Sequence, residues 1–132
     1  MSSLEERIRI EREGYAIAKS ILKAFEIESY GEHESEEKKL TMTNLRNMLN
    51  AAREAKKLKN YDYFALRVAY IARNARYGDD LYEFVWSLLR ESNRRGKSGE
   101  EKIEIAISAL TASLYLYTAL RNNLRDIIYG KR

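Results

Sequence analysis

Residues 40–78, LTMTNLRNMLNAAREAKKLKNYDYFALRVAYIARNARYG, decide the fold. Leu45, Met48, Leu49 and Ala52 recur at helical spacing, with Thr41 or Thr43 placed to serve as N-cap. That pattern predicts a helix running to about Lys59. Asp62 can cap a second helix through Tyr77, closed by Gly78. The stretch therefore reads as a helical hairpin. It is also strongly basic: Arg46, Arg53, Lys56, Lys57, Lys59, Arg67, Arg73 and Arg76 face only Glu54 and Asp62. A hairpin that gathers positive charge presents it to something anionic, with nucleic acid the leading candidate.

Composition points the same way. Across 132 residues there is no proline and only six glycines, which favours helices over sheets and tight turns. The length suits a single domain covering residues 1–132. Without cysteine there is no disulfide, thiolate nucleophile or thiolate metal site. No membrane span is expected, on the reading that charge interrupts the apolar stretches. MSSLEERIRIERE lacks the apolar core of a signal peptide, so a cytoplasmic protein is expected. Residues 1–41 carry a net charge of −3 and residues 42–132 a net +7, an asymmetry suited to steering or to stacking of copies.

Outward from the hairpin, four features complete the pattern. Ser3 and Glu6 form a capping box for a first helix with Leu4, Ile8, Tyr15, Ala18, Leu22 and Phe25 inward, ending near Tyr30–Gly31. Gly14 within it marks a bend or a close helix contact. An acidic loop follows near 31–40 (EHESEEKK from Glu32 to Lys39). Asp80 with Glu83 opens a helix carrying Leu81, Phe84, Val85, Leu88 and Leu89, which breaks at Arg94-Arg95-Gly96-Lys97. Ser98 with Glu101 opens the last helix, whose apolar set is Ile103, Ala106, Ile107, Leu110, Leu114, Tyr117, Leu124 and Ile128. The expected fold is all-α: a compact bundle of about five helices.

Chemistry concentrates on the hairpin. With Arg46 at zero and about 100° per residue, Asn50, Arg53 and Lys57 fall within about 40° of it. This ridge lies roughly 100° from the apolar stripe and spans about 16 Å, enough for two or three phosphates. Arginine offers a planar fork to phosphate oxygens and lysine a point charge. An ordinary solvated face is the competing reading, and the missing carboxylates argue against it. On the next helix Tyr63, Leu66, Tyr70, Asn74 and Tyr77 form one stripe, and Phe64, Val68 and Ile71 another. Arg67 lies between them, at the core edge, where it would pair with Asp62, Asp79 or Asp80 or else reach phosphate. Arg73 and Arg76 look outward. The candidate RNA-binding set is Arg46, Asn50, Arg53, Lys56, Lys57, Arg67, Arg73 and Arg76. The Arg94–Lys97 turn is a second cationic site. The ten tyrosines sit mostly at core spacing and read as packing rather than stacking platforms.

Nothing converges for catalysis. His33, the only histidine, stands alone in the acidic loop, and no phosphate-binding glycine loop is present. No enzyme activity, metal or cofactor is expected. A helix-turn-helix regulator built on residues 43–77 is an alternative, weakened by aromatics where base-reading side chains belong. A protein-interaction bundle is another.

LTMTNLRNML (40–49) looks like a Thr-rich cap followed by a Leu-Arg helix, and LRVAYIAR (66–73) like a Leu-(Arg/Lys)-x-x-Ala-Tyr helix carried by Ala69-Tyr70. In these two stretches the chain resembles the small subunit of type III-A (Csm-type) CRISPR–Cas effector complexes, and the apolar last helix with Tyr115 and Tyr117 is compatible in kind. The acidic Glu32–Glu37 loop and Met42-Thr43-Asn44 depart from that pattern. The resemblance implies a non-catalytic subunit that self-associates into a filament beside backbone and large subunits. It would line the channel for guide RNA and target RNA in antiviral defence, leaving cleavage to other subunits. It also implies RNA contacts from Arg46, Arg53 and Lys57 on one helix and Arg67 and Arg73 on the next.

Overall fold

From Ile105 to Leu120 the chain carries no charged residue, so a helix through this run is apolar on most of its circumference. Such a helix must be covered on several sides. A computed structural model describes residues 3–31 and 35–131, and in it this run lies within α5 (Gly99–Arg121). Ile103, Ile105, Ala106, Ala109, Leu110, Leu116 and Leu120 are all buried. Around it pack α1 (Leu4–Lys23), α2 (Met42–Leu58), α3 (Tyr61–Ile71) and α4 (Asp80–Arg95). The all-α expectation holds, and among the described residues there is no strand. A short α6 (Arg125–Tyr129) and a 3-10 turn at Ile27–Ser29 add to the five expected helices. The expectation that charge interrupts every apolar stretch fails at α5, which by length and composition could cross a membrane; here it forms the core of the bundle. His33, with Glu32 and Glu34 of the acidic loop, lies outside the described residues.

The helix starts follow local chemistry. Ser3, Thr41 and Ser98 accept hydrogen bonds from the amides of Glu6 (3.1 Å), Asn44 (3.0 Å) and Glu101 (3.1 Å). Each cap satisfies an amide that the helix leaves without a partner, a stabilisation of roughly 1 kcal/mol. At α4 the expected Asp80–Glu83 box does not form: Asp79 is the N-cap residue and its carboxylate accepts the Arg76 amide at 2.8 Å. Glu83 instead accepts the Gly78 amide at 3.2 Å, and Asp80 accepts the Tyr30 hydroxyl at 2.6 Å. Burial, reinforced by that bond to Asp80, raises the Tyr30 pKa well above the ordinary phenol value.

Ala18, Leu22 and Phe25 face inward as expected, but the first half of α1 turns to a different side: Ile10, Gly14 and Ile17 are buried, whereas Leu4, Ile8 and Tyr15 face solvent. Two apolar stripes were available, and the stripe holding Gly14 packs because it permits the closest approach to α5. A Cβ on Gly14 would stand 2.7 Å from the Ala109 backbone nitrogen and closer still to Ser108. The helix also ends at Lys23 rather than near Tyr30. Its last carbonyls are held by Arg125, which donates to the Lys23 carbonyl (3.1 Å), the Phe25 carbonyl and the Glu28 carboxylate (2.6 Å). Tyr129 of α6 donates to the Lys19 carbonyl at 2.8 Å, and burial pushes its pKa up to about 12.

Intrinsic propensity favours alanine over glycine in a helix by about 1 kcal/mol. At Gly14 the clash with α5 outweighs that gain, and Gly14→Ala loses on the order of 1–2 kcal/mol of stability in urea unfolding. Gly31→Ala, with nothing within 4 Å of the new Cβ, leaves the midpoint nearly unchanged.

Candidate nucleic-acid interface

The hairpin turns without glycine. Lys59 takes the left-handed conformation (φ 54°), and the Asn60 amide reaches back to the Ala55 carbonyl at 3.1 Å. Asn60 then caps α3 with its own side chain, accepting the Tyr63 amide at 3.1 Å, so the cap is Asn60 and not Asp62. A connection this short folds α3 back along α2. The fold back is fastened by Glu54, whose carboxylate accepts from the Tyr63 hydroxyl (2.9 Å) and from Arg67 (2.6 Å). Arg67 also donates to the Tyr63 hydroxyl at 2.6 Å. The Tyr63 bond first, and Arg67 second, hold the Glu54 carboxyl below the usual range.

Arg67 therefore has a structural partner, but a different one from those expected. Asp62, Asp79 and Asp80 lie on or beyond α3 itself, whereas the observed acid comes from the neighbouring helix. The helix also ends at Ile71 and not at Tyr77; turns through Gly78 (φ 94°) carry the chain into α4.

On α2 the two faces separate cleanly. Leu45, Met48, Leu49, Ala51, Ala52 and Ala55 are buried, and Arg46, Asn50, Arg53 and Lys57 are exposed along the opposite side. Among the described residues, none of these three cations has a carboxylate within ion-pair distance. Lys56 is exposed on another flank of α2, at the edge of an open groove of about 600 Å³ between α1 and α5. Arg73 lies over the Tyr70 ring, 4.2 Å from its centroid, and Arg76 is exposed in the turn after α3.

The second cationic site is partly paired, with Glu91 shared by Arg90, Arg94 and Arg95. Arg94 bonds Glu91 at 2.6 Å, and Arg95 pairs with Glu13 and, at 3.2 Å, with Glu91. Arg94 first, then Arg95, depresses the Glu91 carboxyl despite the opposing effect of burial. Burial alone would raise Glu101, but Arg9 and the Lys97 amide outweigh it and hold the carboxyl low. Glu91 is a neighbour at helical spacing, whereas Glu13 comes from α1, which no inspection of the turn itself could locate.

Tyr61, Tyr63 and Phe64 of α3 pack against the core as expected, and Val68 is buried with them. Leu66 and Tyr70, with Tyr77 beyond the helix, depart from that role and are 69%, 63% and 87% exposed. Period alone could not say which of two stripes faced inward, and the more apolar one took the core. Among the described residues no group of three His, Cys, Asp or Glu side chains is placed to hold a metal ion. No protein-family model, curated protein or solved structure matches the chain.

The Glu54 clamp has a pH signature. A carboxyl with a depressed folded pKa contributes stability above its unfolded pKa and loses it as pH falls through the folded value. Wild type is more resistant to urea than Glu54→Gln at neutral pH. The gap closes as pH falls below the ordinary carboxylate range; a gap independent of pH would mean that the ionised clamp contributes nothing.

Proposed function

We propose that the chain is a non-catalytic small subunit of a type III (Csm-type) CRISPR RNA-guided interference complex in antiviral defence. In this reading it works in the cytoplasm, self-associates beside the backbone and large subunits, and contacts guide RNA and target RNA. The observation that carries the proposal is the α2 ridge: Arg46, Arg53 and Lys57 exposed in one line with no carboxylate within ion-pair distance among the described residues. The resemblance of residues 40–49 and 66–73 to that family supports it from the sequence side.

The ridge suits recognition of a backbone rather than of bases. Duplex RNA hides its base edges in a deep, narrow groove, so phosphate position and helical shape dominate its recognition. Arg53 would grip phosphate oxygens as a fork, Lys57 would extend the contact by one turn on one side and Arg46 by two on the other, and Asn50 would add a neutral donor. Arg67 serves this surface indirectly by tying α3 to Glu54. A few contacts per copy are weak alone and add up along a row of copies.

Purifying the tagged chain from its own cells, with mass spectrometry and RNA sequencing, tests the reading. Co-purifying backbone and large subunits with short repeat-derived guide RNAs is the expected result, and a chain recovered without RNA or those subunits overturns it. The ridge makes a second prediction. Replacing Arg53 and Lys57 together by Gln lowers the log–log salt slope of RNA binding by about two. Arg94→Gln leaves that slope unchanged, because its charge is already held by Glu91.

A further inference from the structure

On α3, Leu66 and Tyr70 lie one turn apart on the side away from buried Phe64 and Val68, and Tyr77 follows in the turn beyond. Water covers these apolar surfaces, although covering them with a partner would be favourable. Their surroundings say which partner. An Arg73 N–H bonds the Tyr70 carbonyl at 3.0 Å, fixing the guanidinium over one ring face and leaving Tyr70 63% exposed elsewhere. Arg76 is exposed in the turn just beyond, and Asp62, at the start of the helix, is the one carboxylate on α3.

The hairpin sets this patch beside the phosphate ridge. Glu54 of α2 bonds Tyr63 and Arg67 of α3. Asn50 lies one helical turn before Glu54 and Tyr70 one turn after Arg67, so ridge and ring flank the same clamp. A line of free cations on one helix and an open aromatic ring on the next match the two chemical elements of a single strand, its phosphates and its bases. A wholly apolar partner would leave Arg73 and Arg76 without counter-charges.

We propose that the outer face of α3 is a base-stacking platform for a single-stranded stretch of RNA whose phosphates run along the α2 ridge. Tyr70 supplies the ring, Arg73 holds its far face and adds charge, and Tyr77 can take a neighbouring base. This deepens the RNA reading above and rests on it. Stacking on an exposed aromatic tolerates any base, so the platform adds affinity without sequence preference.

Fluorescence anisotropy of the full chain at low salt tests it with three probes: a short unstructured RNA, an abasic phosphodiester of equal length and an RNA duplex. Wild type binds the unstructured RNA about tenfold more tightly than the abasic strand. Tyr70→Ala removes that difference, Tyr70→Phe keeps it, and abasic binding is the same in all three proteins. Equal affinity for the RNA and its abasic counterpart, with Tyr70→Ala silent, overturns the platform while leaving the ridge reading intact. Failure of wild type to bind any of the three, at chain concentrations high enough to detect weak single-copy contacts, overturns both. Tyr70 is exposed, and unchanged helical circular dichroism in each variant separates lost stacking from lost folding.

Discussion

Burial of α5 is the constraint from which the rest follows. A helix without a charge between Ile105 and Leu120 cannot satisfy itself with one neighbour, so α1, α2, α3 and α4 pack around it. Each neighbour must lay its smallest or most apolar side against it. For α1 that side contains Gly14, and the buried side of α2 contains Ala51, Ala52 and Ala55. Once the alanine face of α2 is inward, its long cations have no direction left but out. The basic ridge is thus a consequence of core packing as much as of charge.

Electrostatics then sorts the cations into two groups. Arg9 with Glu101, Arg95 with Glu13, Arg125 with Glu28 and Arg67 with Glu54 each join two separate segments of the bundle. Partly exposed pairs of this kind stabilise little individually, but they hold helices in register. The α2 ridge has no such duty. Its charge remains available to an outside anion, and after Arg67 is set aside three of the seven remaining hairpin cations lie there, with Lys56, Lys59, Arg73 and Arg76 placed elsewhere.

The elements with one apolar stripe were legible. On α2, Leu45, Met48, Leu49 and Ala52 left a single phase, and Thr41 marked its start, so the exposure of Arg46, Asn50, Arg53 and Lys57 could be placed before any coordinates. Helices with two stripes were not. On α1 the sequence offered Leu4, Ile8 and Tyr15 as well as Ile10, Gly14 and Ile17, and only contact with α5 chose between them. On α3 the same ambiguity hid the exposed Tyr70 and Leu66. Pairings distant in sequence, such as Arg95 with Glu13, were beyond reach because periodicity carries no information about which helices become neighbours. The Asn60 cap was missed for a local reason: Asn60 both ends the turn after α2 and starts α3, leaving no separate linker to read.

The proposed RNA contact lies on the outer surface of the α2–α3 hairpin. Titrating the isotope-labelled chain with unstructured RNA and following each amide by NMR tests this directly, since even weak binding moves resonances near the contact. Shifts gathered at Arg46, Asn50, Arg53, Lys57 and along the outer side of α3 near Tyr70 are the expected result. Shifts confined to the α1–α5 groove or to the Arg94–Lys97 turn would contradict it, as would a spectrum that RNA leaves unchanged.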